Sequence, residues 1–176
     1  YYNRNTDPDF GRLCLAIDNA KMIEVCSTKL PQLAIPKILG DPRFPVYRQE
    51  TNERIGRRSR IISGLLDGLP QVKFNETHGA FYNTIIFRDG VLKPGMSMSV
   101  SDAASRQLVE SWVSQPIPED KRFVYYLLAS RGICVVPISS FASELQGFRV
   151  TLLEEDETIL TRIFTGIREG IQEYTA

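Results

Sequence analysis

Histidine occurs once in this chain, at His78, and tryptophan once; cysteine occurs three times, at Cys14, Cys26 and Cys134. A lone histidine with no cysteine near it lacks the ligand set of a tetrahedral metal site, so His78 reads as a loop residue beside Gly79. A general-base role remains open to it in principle. The odd cysteine count, with no Cys-x-x-Cys spacing, argues against a disulfide framework. Free thiols acting as small buried hydrophobes, in a reducing cytoplasm, are the expectation. No charge of either sign is in excess: Lys plus Arg and Asp plus Glu are both 21, for a net charge of 0. That balance argues against a nucleic-acid footprint or a polybasic membrane face. No apolar run approaches the roughly 20 residues that span a bilayer. Signal-peptide patterning, internal repeats and low-complexity segments are absent. So are G-x-G-x-x-G, a Walker-type phosphate loop, H-E-x-x-H and G-x-S-x-G. Spacing alone assembles no complete catalytic centre.

What is present is a chain of 176 residues, 43% of them hydrophobic, enough for one packed domain. Tyr1 to Arg4 reads as the end of a strand, which implies a chain cut from something longer. Asp7-Pro8-Asp9 offers a helix start, and Phe10, Leu13, Ile17, Ala20, Ile23 and Cys26 recur at helical spacing from about Asp9 to Cys26. Pro31 suits the first turn of a short second helix running to Leu39, which Pro36 should kink. A long charged helix is predicted from about Pro45 to Leu66, with Ile55, Ile62, Leu65 and Leu66 as a thin apolar stripe. Its four arginines, 54, 57, 58 and 60, form either an anion patch or a solvated face supported by Glu50–Arg54 and Glu53–Arg57 pairs. Short strands are predicted over Val72–Glu76 and Ala80–Phe87. Two helices follow, one around Ala104–Val113 and one from Glu119 to Ser130, with Gly132 as a left-handed cap. Glu119 and Asp120 suit the positive end of the helix dipole. After two more strands, a stripe of Ile159, Leu160, Ile163, Phe164, Ile167 and Ile171 marks a terminal amphipathic helix. Four acidic residues, Glu154 to Glu157, stand at its N-terminal end. The order predicts an α/β or α+β-like fold: a sheet of about three to four strands covered by helices, with a long N-terminal connecting helix.

The stretch Gly132–Leu153, GICVVPISSFASELQGFRVTLL, carries the main candidate for function. Two apolar runs, Ile133–Pro137 and Phe148–Leu153, flank a polar connection. Arg149 is the one charge in the second run, between Phe148 and Val150. A guanidinium stays protonated, and its planar fork matches a carboxylate through two parallel hydrogen bonds. Arg149 is thus either the grip for a small substrate's carboxylate or an edge-strand arginine facing solvent.

Three motifs in order, Gly79-Ala80-Phe81-Tyr82, Gly132-Ile133-Cys134-Val135-Val136-Pro137 and Gly147-Phe148-Arg149-Val150-Thr151-Leu152, are followed by a terminal amphipathic helix. Together with Thr28–Pro36, this resembles the C-terminal part of class I/II aminotransferases, pyridoxal-phosphate enzymes of fold type I. The GICVVP run and the long charged helix lean towards alanine-aminotransferase-like or other bacterial branches. The resemblance covers nearly the whole chain. It implies that residues 1–30 are a connecting segment and helix from a large domain, and that residues 31–176 are the small domain. It implies that Arg149 binds the substrate α-carboxylate and that Phe81 lines the pocket. Amino acid and 2-oxo acid would be the substrates, and the parent would be a homodimer. Ser27 to Gln32 would lie towards the partner subunit's cofactor.

The chain departs from the family pattern at the cofactor. The family's lysine sits in a Ser-x-Ser-Lys setting, followed by Gly-x-Arg for the phosphate. Of the six lysines here, only Lys29, in Cys26-Ser27-Thr28-Lys29, comes near it. Leu30-Pro31-Gln32 follows, and Arg43 lacks the glycine. Lys29 also falls after the connecting helix. The expectation is that the parent uses pyridoxal 5'-phosphate and that this chain binds none covalently, being inactive by itself. The other reading is a stand-alone, non-catalytic carboxylate-binding or interaction module descended from such a domain.

Overall fold

A computed structural model describes residues 7–23 and 28–176. The readings placed on Tyr1–Arg4, Cys26 and Ser27 lie outside the described residues. The chain divides into two compact units, up to Arg48 and from Gln49 onward.

The first unit holds α1 (Pro8–Ile23) and α2 (Lys29–Leu39). Asp7 starts α1: its carboxylate accepts from the N–H groups of Asp9 at 2.8 Å and Phe10 at 3.3 Å, with Pro8 at the first helical position. The helix runs through Pro36 in α2, whose missing N–H leaves one intrahelical bond unmade. No residue of α1 or α2 is buried. The stripe of Leu13, Ile17 and Ile23 is real in its spacing and exposed in fact.

The second unit takes most of α3 (Phe44–Leu66), whose first residues belong to the other unit. It continues with β1 (Val72–Phe74), β2 (Tyr82–Phe87), α4 (Ala103–Val113), α5 (Glu119–Arg131) and β3 (Val136–Pro137). A 3-10 turn (Ile138–Phe141), β4 (Gly147–Thr151) and α6 (Glu157–Tyr174) complete it. Among the described residues, six helices and a four-stranded antiparallel sheet of order β1-β2-β4-β3 make this a small α/β fold. The register pairs Asn83 with Val150, Thr84 with Arg149 and Ile85 with Phe148. Side chains alternate across a strand, so Asn83, Ile85, Phe87, Phe148 and Val150 share one face. That face is buried, and the Phe123 ring of α5 packs on it, with centroids 5.0 Å from Phe87 and 5.4 Å from Phe148. Tyr174 of α6 meets Phe123 edge-on at 5.3 Å. Ile62 and Leu66 of α3, Val109 and Val113 of α4, and Leu160, Phe164, Ile167 and Ile171 of α6 fill out the same core. The opposite face carries Lys73, Tyr82, Thr84, Ile86, Val136, Arg149 and Thr151, and none of these is buried.

Several local expectations are corrected. The run Ile133–Pro137 gives a strand of only 2 residues, because Pro137 has no N–H to donate and the chain then turns into the 3-10 segment. The predicted pairs Glu50–Arg54 and Glu53–Arg57 give way to other partners. Arg57 reaches Glu157 at 2.7 Å, Glu53 accepts from Gln49 and Arg54 meets Thr51. Arg58, read as part of either an anion patch or a solvated face, is 6% exposed and donates to the Leu152 carbonyl at 3.0 Å. Cys134 is exposed and Cys14 half-buried, so neither thiol fills a core position as expected. The left-handed cap at Gly132 stands, with φ 67°.

Candidate functional site

The site is built on the open face of the sheet. Arg149 stands near the middle of β4, the strand flanked by β2 on one side and β3 on the other. On β2 its direct partner is Thr84, and its diagonal neighbour two residues away is Tyr82. The guanidinium lies 4.3 Å from the Tyr82 ring centroid. It lies 4.2 Å from that of Phe141, at the end of the 3-10 segment. Two aromatic rings therefore hold the guanidinium, an arrangement that a delocalised, weakly hydrated cation favours.

Among the described residues, none of the ion pairs involves Arg149. Other arginines of this unit are engaged within the fold. Arg58 donates to Leu152, Arg122 to the Met96 and Val113 carbonyls, Arg131 to Glu169 and Glu173, and Arg168 to the Leu65 and Asp67 carbonyls. Those bonds tie helices to one another and to the loops between them. Arg149 is half-buried, ringed by aromatic surface and left without a carboxylate of its own. Its N–H edge can take an anion in the guanidinium plane, and a carboxylate fits that plane through two bonds.

Phe81 lies one residue before β2 and is 37% exposed. Its ring packs on Tyr82 at 4.5 Å, and its carbonyl accepts from Leu152 N–H at 2.8 Å. Phe81, Tyr82 and Arg149 thus form one continuous surface. The histidine is elsewhere: His78 lines a separate cleft of about 240 Å³ with Arg60, Glu76 and Ala80. Among the described residues, no group of three or more His, Cys, Asp and Glu side chains could hold a metal ion. No helix of the described residues is long and apolar enough to cross a membrane.

No family model matches the chain. Over 173 residues it is 42% identical to an uncharacterized aminotransferase of Methanocaldococcus jannaschii. This chain matches a piece of an aminotransferase. The match takes in 98% of the chain and 40% of the relative's length.

The match to part of an aminotransferase raises the question of a cofactor. The pyridoxal phosphate expected for the parent would be held through an amine, and among the described residues the open face places none beside Arg149. Lys73 shares the face but stands on edge strand β1, with β2 between it and β4. Lys29 opens α2 in the other unit. The residues around Arg149 therefore do not fit the cofactor by themselves.

Three contributors escaped the sequence reading. Tyr82 and Phe141 are legible only as aromatics in a strand and a loop, since their meeting at Arg149 depends on strand register and on the turn after Pro137. Asp120, read as a helix-dipole charge, is fully buried. Its carboxylate accepts from the Ser139 N–H at 2.9 Å, the Ser139 hydroxyl at 2.6 Å and the Gly147 N–H at 3.3 Å.

Proposed function

We propose that this chain is the C-terminal, substrate-binding portion of a pyridoxal-phosphate-dependent aminotransferase of fold type I. In this reading the protein moves an amino group between an amino acid and a 2-oxo acid. Residues 1–30 connect from a large domain, and residues 31–176 are the small domain. The cofactor, which supplies the electron sink for such chemistry, and its lysine belong to sequence beyond this chain. The chain alone is then inactive, and the whole protein works as a homodimer.

The observation that carries the reading is the guanidinium of Arg149, over two rings and, among the described residues, in no ion pair. An amino acid and its 2-oxo acid share one feature, a carboxylate beside the reacting carbon. A fixed fork that grips that group in its plane orients either substrate in the same way, which is what a reversible transfer requires. Phe81 and Tyr82 border the grip with aromatic surface, so that water is excluded from one side of the bound carboxylate. The 42% identity to an aminotransferase over 98% of the chain supports the same assignment.

The test uses the protein expressed from its complete reading frame. The donor is whichever standard α-amino acid it turns over fastest with 2-oxoglutarate. Arg149→Lys keeps the charge and loses the planar fork. We expect kcat/KM for the amino acid to fall on the order of 10²-fold, as for other desolvated, hydrogen-bonded charge pairs that lose a partner. The matching amine without a carboxylate should react as slowly as before. An unchanged kcat/KM for the amino acid removes Arg149 from substrate binding. No turnover of any amino acid overturns the aminotransferase reading itself.

A further inference from the structure

We infer that Asp120 is a positioning residue for Arg149, acting through the 138–147 connection and the Phe141 ring; this rests on the reading of Arg149 given above. A carboxylate buried without a cation is costly unless hydrogen bonds satisfy it. Among the described residues no ion pair involves Asp120, yet three donors converge on it. They are not scattered. Ser139 lies near the start of the connection and Gly147 at its end, where β4 begins, so one side chain on α5 fastens both ends of the loop.

Between those two anchors lies Phe141, 47% exposed and outside the core, with its ring 4.2 Å from the Arg149 guanidinium. An exposed loop phenylalanine has no packing reason of its own to hold one place. The residue after it, Ala142, sits in the left-handed region at φ 54°, a conformation that a non-glycine residue keeps only when its surroundings fix it. The second anchor works on the strand itself: Gly147 is two residues before Arg149, and its N–H is tied to the same carboxylate. Both the ring over the guanidinium and the strand beneath it are thus referred to Asp120 on α5, whose Phe123 is packed in the core. An arginine side chain has several rotatable bonds, and a two-point grip needs its plane fixed. The clamp supplies that fixing from behind, without touching the ligand.

The experiment again uses the protein expressed from its complete reading frame, with the same amino-acid donor and the matching amine. The variants are Asp120→Asn, Phe141→Leu, Arg149→Lys and the double variant Asp120→Asn/Arg149→Lys. Asparagine keeps the shape but turns one acceptor into a donor facing donors. Phe141→Leu alters an exposed side chain, so it tests the same clamp without risk to the core. We expect each of the two single changes at 120 and 141 to lower kcat/KM for the amino acid by roughly 10- to 100-fold, the scale of a small misplacement. Turnover of the amine by Asp120→Asn should stay within about twofold, and Asp120→Asn should add nothing once Arg149 is lysine. If Arg149→Lys weakens amino-acid use while Asp120→Asn hits amine and amino acid alike, or adds fully to it, the positioning role fails and the carboxylate reading stands. If Arg149→Lys leaves amino-acid use unchanged, both fail together.

Discussion

At the scale of single residues, burial separates arginines that look alike in sequence. Arg57 and Arg58 are neighbours in one charged run. The Arg57 side chain is 62% exposed and pairs with Glu157 at the surface, an interaction that water and salt weaken. Arg58 is enclosed and supplies the Leu152 carbonyl with its donor, while its approach to the exposed Glu155 is long at 3.8 Å. Removing a donor from a buried acceptor exposes the full desolvation cost of that acceptor, about 1–3 kcal/mol. Arg58→Met should therefore lower the unfolding free energy by about that much in urea titrations, and Arg57→Met by less than about 1 kcal/mol. Equal losses would mean that the Arg58–Leu152 bond contributes no more than a surface pair. The sequence could not rank these two, because the partners lie about a hundred residues away. Arg149 stood out as a candidate for the opposite reason: its apolar neighbours in the chain already made its charge conspicuous. What surrounds the guanidinium was not legible, since Tyr82 and Phe141 reach it across a strand and a turn.

At the scale of elements, helix boundaries were the most readable feature, because periodicity and capping are local. Asp102 accepts from the Ser105 N–H at 2.7 Å at the start of α4. Asp156 accepts from Thr158 and Ile159 at the start of α6, so the acidic crowd from Glu154 to Glu157 contains a cap. The backbone bond from Ser105 holds the Asp102 carboxyl below its ordinary range; those from Ile159 and Thr158 do the same for Asp156. A carboxyl that titrates lower in the folded chain than in the unfolded one adds stability above its unfolded pKa, near 4. That contribution is lost as the pH falls through the folded value. Melting temperature should therefore drop as the pH falls below about 4, and Asp156→Ala should be less stable at neutral pH with a shallower acid decline. An acid decline as steep as in the parent chain would assign the effect to other carboxyls. Strands were less readable than helices. Ile133–Pro137 has the composition of a strand, but pairing is decided by the partner, and a proline on β3 limits what β4 can bond. The glycine that opens β4 is fixed by a non-local fact as well: a Cβ on Gly147 would run into the Ile85 carbonyl oxygen of the neighbouring strand.

At the scale of the whole molecule, the two units differ in how they treat apolar surface. From Gln49 onward the apolar stripes of α3 and α6 close over one face of the sheet, which is why their spacing predicted most of their burial, with Ile159 left exposed. The same spacing in α1 misled, because periodicity reports which face is apolar and not whether anything covers it. Leu13, Leu15, Ile17, Met22 and Ile23 of α1, and Leu30, Leu33, Ile35, Ile38 and Leu39 of α2, are all exposed. Contiguous apolar surface beyond a few hundred Å² is uncommon on a monomer in water and drives association. The 176-residue chain expressed alone should therefore self-associate, with a sedimentation coefficient that rises with protein concentration. A chain of residues 44–176 keeps α3, the sheet and the core, and it should sediment as a monomer over the same range. Leu33→Glu with Ile38→Lys, placed in the longer chain, should shift it towards monomer without changing the near-ultraviolet signal of the aromatic cluster around Phe123. If the longer chain is monomeric throughout, its α1 and α2 surfaces are not sticky enough to need a cover. If the shorter chain associates as strongly as the longer one, the driving surface lies in the second unit, where Leu108, Trp112 and Leu128 are the exposed apolar residues of α4 and α5.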